Sequence, residues 1–135
     1  MSELAGPPRG AHSELMGARA VSFDRETETL TMAFTVPDCF ITPRGGVQGG
    51  LVAGFLDEAM GWVHVIATHR AEAPLMLDIT LSLIRQVPPG ELMCTARVVR
   101  RGRRVIFLES DLFDPQGTLL ARATSTAIPT PVPGM

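Results

Sequence analysis

The sequence predicts an α+β fold in which an antiparallel sheet wraps around one long central helix. Three observations carry this reading. One segment, from Gly49 to His69, is apolar enough to be a buried helix of roughly twenty residues, about 30 Å long. Period-two alternation recurs before and after it, as in Leu30, Met32, Phe34 and Val36, and in Leu77, Ile79, Leu81 and Leu83. Short turn signals, rather than further helices, join the later strands.

The elements follow in order. Residues 1–17 mix glycine and proline with a short helix around Ala11–Met16, and read as an arm or lid. Strands are predicted over 18–24 and 29–36, around the polar turn Asp24–Glu28. Pro37 and Pro43 bracket a loop into Gly45-Gly46-Val47-Gln48-Gly49-Gly50, where the helix starts. Further strands are predicted over 75–87, 91–101, 104–114 and 119–128, separated by Pro88-Pro89-Gly90, Gly102-Arg103 and Asp114-Pro115-Gln116-Gly117. The domain is therefore 18–128, and 129–135 is expected to be a disordered tail.

Composition narrows the function. A chain of 135 residues is expected to form one domain, and 45% hydrophobic content supports a core. A formal net charge of −2 gives no electrostatic case for nucleic acid or an anionic membrane surface. Asp57, Glu58 and His64 interrupt the apolar helix, so no membrane span is expected. The N-terminus lacks the basic and apolar regions of a signal peptide. Cys39 and Cys94 stand alone, and His64 and His69 lie five apart, not on one helical face. Neither metal nor cofactor is expected, and two free thiols fit a cytoplasmic protein.

Asp57 is the leading candidate for chemistry. At about 100° per residue, Gly50, Ala53, Gly54, Asp57, Gly61, His64, Val65 and Thr68 share one side of the helix. Leu51, Val52, Phe55, Leu56, Ala59, Trp62, Val63 and Ile66 share the other. Gly54 and Gly61 flank Asp57, and each costs about 1 kcal/mol of helix propensity against alanine. They leave room for a substrate chain or another backbone. The bland alternative is tight packing, with Asp57 paired to an arginine across an interface. Glu58 lies about 100° round from Asp57 and reads as an interface or surface charge. His64 reads as a satisfied histidine.

With these residues the chain resembles the PaaI-like hotdog-fold thioesterases over roughly residues 15–128. That family has an asparagine, then a glycine, then His-Gly-Gly, then a helix with an acidic residue about eight positions on. Gly49 and Gly50 match the glycines, and Asp57 matches the acid. The later Gly90, Gly102 and Gly117 turns and Leu120–Thr124 also fit. Gln48 stands at the family histidine, Thr42 at the asparagine, and Met76 where many members have Ser or Thr.

The resemblance implies hydrolysis of an acyl-CoA thioester, with a small aryl or medium-chain acyl group. The Gly49 amide would receive the carbonyl oxygen, and Asp57 would attack it or activate water. Gln48, Gly50, Thr42 and Met76 would line the substrate site. Within Arg100–Arg104, Arg101, Gly102 and Arg103 would clamp the CoA phosphates, since guanidinium forks match phosphate oxygens. A solvated turn is the plain alternative there. Open sheet edges and the apolar helix imply a homodimer or homotetramer. Two other readings stand beside this one: a non-catalytic acyl-CoA or lipid-binding module, and a hotdog dehydratase, for which only His64 could serve as the base.

Overall fold

The central helix begins where the backbone of Gln48 is extended and its side chain accepts the Leu51 N–H at 3.0 Å. This is an N-cap, and it satisfies one of the amides a helix start leaves open. In the computed structural model, which describes residues 10–132, that helix is α2, Gly49–Ala67. It ends two residues before the predicted position. Thr68 turns its hydroxyl back onto the His64 carbonyl, and His69 and Arg70 take left-handed φ values of 53° and 64°, which a continuing helix excludes.

Around α2 run β1 (Arg19–Asp24), β2 (Thr29–Thr35), β3 (Glu72–Leu83), β4 (Glu91–Arg101), β5 (Ile106–Phe113) and β6 (Leu119–Pro131). They form one six-stranded sheet in the order β1-β2-β4-β5-β6-β3, with every neighbouring pair antiparallel. A short helix α1, Ala11–Leu15, precedes β1. The rest of the 1–17 arm, residues 1–9, lies outside the described residues, as do residues 133–135 of the tail.

Alternation decides which side faces the helix. β4 buries Leu92, Cys94, Ala96 and Val98, and β5 buries Ile106, Leu108, Ser110 and Leu112. β2 adds Leu30, Met32 and Phe34; β6 adds Ala121, Ala123, Ser125 and Ala127, small enough for the helix to come close. Against them lie Val52, Phe55, Leu56, Ala59, Met60, Val63 and Ile66 of α2. Phe55 stacks at a tilt on Phe34 and Phe40, with ring centroids at 5.1 and 5.8 Å. By length and composition α2 would also suit a membrane span; its wrapped face accounts for that apolarity.

Two boundaries differ from the prediction for one reason. β3 starts at Glu72 and β6 runs to Pro131, because Glu72, Ala73 and Pro74 pair with Pro131, Thr130 and Pro129. Residues 129–131, which the sequence places in a disordered tail, are thus strand. Proline reads as a breaker, yet β3 is an edge strand, where a missing N–H can be tolerated.

Candidate active site

The third turn of α2 carries a half-buried carboxylate, Asp57, with no hydrogen bond to the described residues. Asp57 lies in a cleft of about 460 Å³ with Glu58, Gly61, Trp62 and the β3 residues Ala73–Met76. At Gly61 an added Cβ would meet nothing within 4 Å, so this glycine keeps the cleft open. Burial, and then the neighbouring Glu58, push the Asp57 carboxyl above the usual aspartate range. Met76 also lines this cleft, and its sulfur accepts the Ser125 hydroxyl at 3.4 Å.

Asp57 also borders a second, smaller cavity of about 240 Å³. His12, Leu15 and Met16 of the α1 segment form one wall, with Phe40, Leu51 and Gly54 opposite. Gly54 leaves the room anticipated from the sequence, and Met16 occupies it, with its sulfur 3.9 Å from where a Cβ would stand.

The helix start forms a separate place. Gly49 borders a cleft with Val47, Val52 and Leu83–Val87. Leu51 and Val52 donate to Gln48, whereas the Gly49 and Gly50 N–H groups reach no acceptor among the described residues. Two open amides at the positive end of a 19-residue helix favour an anionic oxygen. Gln48 is engaged as the cap and Thr42 as a loop brace, its hydroxyl accepting the Arg44 N–H at 3.3 Å. The Thr42 and Gly46 backbones close the same loop at 2.8 Å. Both residues therefore have structural duties that their sequence positions did not disclose.

Three further expectations change. Glu58 is not a surface charge: its side chain is 8% exposed. The Trp62 indole N–H donates to it at 2.9 Å and the Ser13 hydroxyl donates to the same oxygen. His64 is fully buried and faces Glu72 rather than the Asp57 cleft, with Nε2 and Oε1 at 3.0 Å. A dehydratase would be left without its base. Arg101 is not free for phosphate: its guanidinium forks onto both Glu28 oxygens, one at 2.9 Å. Gly102 is required by the turn itself, since a Cβ would stand 2.7 Å from the Val105 carbonyl oxygen. Arg103 makes no ion pair among the described residues. No cluster of three metal-ligating side chains occurs among them either.

One sheet wrapped on one helix, with an acid two turns into that helix, is the hotdog fold. Residues 45–121 match the family model of the thioesterase superfamily, and the chain belongs to that superfamily. Among solved structures it is similar to a phenylacetic acid degradation-related protein of Ralstonia eutropha, at 30% identity and a TM-score of 0.84, over 90% of this chain and 92% of that one. The PaaI protein from the phenylacetic acid degradation operon of E. coli matches at 17% identity and a TM-score of 0.79, over 90% and 85%. A Streptococcus mutans protein bound to acetyl-CoA matches at 20% identity and a TM-score of 0.74, over 84% and 89%. At those lower identities the likeness concerns the fold alone. No curated protein matches the chain in sequence.

Proposed function

We propose that this chain is a cytoplasmic acyl-CoA thioesterase acting on a small aryl or medium-chain acyl group, as a homodimer or a dimer of dimers. The observation that carries the reading is the half-buried Asp57 carboxylate, unpaired in an open cleft and raised in pKa. Such a group is a better base near neutral pH than an ordinary aspartate.

In the proposed reaction a Gly49 amide holds the carbonyl oxygen, and Asp57 either draws a proton from water or attacks the carbonyl itself, breaking the C–S bond to release CoA thiolate and leaving an acyl anhydride on Asp57 that water then hydrolyses. With water as the nucleophile, its oxygen bonds the carbonyl carbon and the C–S bond breaks. The CoA sulfur then takes the proton that Asp57 received. Asp57 and Gly49 cannot serve one substrate from one chain, because about 12 Å of helix rise separates them. The partner is argued from β3: a 12-residue edge strand whose Leu75, Leu77 and Ile79 are exposed. An edge of this kind invites a second copy. Since Ala73–Met76 also line the Asp57 cleft, a copy docked on β3 would roof it.

Size supports a small acyl group. A cavity of about 150 Å³ holds benzene, and the apolar pocket beside Asp57 measures about 240 Å³. The name of the Ralstonia protein points the same way, toward an aryl acid. For the nucleotide, Arg103 is preferred over Arg101, which would first have to leave Glu28. The test is thiol release from acetyl- to decanoyl-CoA and from benzoyl- and phenylacetyl-CoA. Release from the aryl or medium-chain esters is expected. Binding of these esters without release would establish the acyl-CoA-binding module instead.

A further inference from the structure

Glu58 is a buried carboxylate that the reaction above does not use. Its three polar neighbours come from two elements. Trp62, one turn further along α2, donates its indole N–H at 2.9 Å. Ser13 of α1, itself buried, donates its hydroxyl to the same oxygen. His12, the neighbouring residue of α1 and largely exposed, places Nε2 3.4 Å from the other carboxylate oxygen. The Arg70 guanidinium lies over the Trp62 ring, 5.4 Å from its centroid. A short helix of Ala11–Leu15 has little stability of its own, so it needs such an anchor to stay on α2.

We infer that Glu58 is a positioning residue for Asp57, and that α1 is the clasp that fixes it. Ser13 and Trp62 hold the Glu58 side chain in place on the wall of the two cavities that Asp57 also lines, so Asp57 faces a fixed acidic neighbour. Only the consequence, a stronger base, rests on the thioesterase reading. The groups around Asp57 are few. Glu58 comes from α2 and His12 from α1; β3 presents only Ala73–Met76, and the turn at Phe40 presents its ring. Burial and Glu58 act on Asp57 in one direction and His12 in the other. A charge on a side chain only 8% exposed, lining the same cavities as Asp57, is screened far less than a surface charge.

The experiment follows the Asp57 carboxyl carbon by NMR against pH, and the acid limb of kcat/KM beside it, in the full-length protein. Glu58→Gln keeps the shape and an acceptor for Ser13 and Trp62 but removes the charge. Both readouts should move to lower pH. Ser13→Ala and Trp62→Phe free the carboxylate to swing outward, and should move them the same way by less. A purely structural Glu58 would lower stability and leave the Asp57 titration where it was. If that titration is unmoved in a Glu58→Gln protein with wild-type circular dichroism, the inference is overturned. Should Glu58→Gln not fold, Trp62→Phe decides by the same criterion. The NMR titration requires no substrate. Failure of the thioesterase reading, seen as no turnover in wild type or full turnover in Asp57→Asn, is therefore distinguishable from failure of this one.

Discussion

Gly49 and Asp57 sit on one helix, eight positions apart, so the open amide and the unpaired carboxylate are about 12 Å from one another along its axis. A carbonyl whose oxygen bonds the first is out of reach of the second. In the proposed dimer two copies would resolve this, each lending one group to a shared site. Gly49→Pro offers a test, because proline suits the first position of a helix and Gln48 before it is already extended, with φ −61° and ψ 136°; its Cβ would stand 3.0 Å from Leu83 Cδ1, the end of a flexible side chain that has to shift slightly. Removal of this oxyanion donor should lower kcat by about 10²–10³-fold while the helix remains. In mixed dimers of Gly49→Pro with Asp57→Asn, about one site in two would contain both intact groups. Co-expression should therefore restore hydrolysis that neither variant shows alone. Mixed dimers as inactive as their parents would place both groups in one chain's site, or neither in any.

Asp57→Asn alone should reduce turnover by at least ~10²-fold, the usual scale for a general base. Its stability should move the other way at neutral pH. The folded pKa lies above the reference of 3.8, so the folded state holds the proton more tightly than the unfolded state. That favourable contribution is full below 3.8 and is lost as pH rises through the folded value. At pH 7 the charged Asp57 is a burden that asparagine lacks. Thermal melts should show Asp57→Asn at or above wild type at pH 7, with the gap closing toward pH 4. A variant clearly less stable than wild type at pH 7 would mean that Asp57 has a stabilising partner.

The nucleotide assignment separates two neighbouring arginines. Arg103→Ala should raise KM for CoA esters with little change in kcat, because remote phosphate binding is largely uniform. Arg101→Ala breaks the fork to Glu28. Its main effect should fall on stability, with KM close to wild type. The reverse result, KM rising for Arg101 alone, would return the clamp to Arg101.

What the sequence disclosed follows the strength of its periodic signals. Alternation located the strands, and the long apolar run with its glycine start located α2 and put Asp57 in a cleft. Side-chain partners were less legible. A wheel placed Glu58 and His64 by angle alone, with no account of the elements packed against α2. Ser13 reaches Glu58 across 45 positions, and Arg101 reaches Glu28 across 73. No local pattern encodes such pairs. One signal was present for Glu58: Trp62 lies four positions on, the spacing at which an indole N–H meets a carboxylate on a helix. The prolines at 74, 129 and 131 misled in the opposite direction: Pro74 is in the edge strand β3, and Pro129 and Pro131 lie past Ala127, the last β6 residue paired with β5.

His64 makes the last prediction. The ring is wholly buried, its Nε2 is bound to Glu72, and its Nδ1 has no hydrogen-bond partner among the described residues. Burial pushes its pKa below the reference of 6.5, and the Glu72 hydrogen bond opposes this only in part. The unfolded chain therefore takes up a proton at a pH where the folded chain does not. Stability should be full above 6.5 and should fall as pH drops from there through the lower folded value. The Glu28–Arg101 fork contributes to a different window, because Glu28 is held below its own reference of 4.5 by the Arg101 hydrogen bond. Urea midpoints measured between pH 7 and 5 should decline for wild type. His64→Leu removes the titrating ring and leaves Glu72, which is 42% exposed, able to turn to water. Its midpoints should be nearly flat across that range. An equal decline in both proteins would show that some other group sets the acid sensitivity, and that His64 gains its proton without opening the fold.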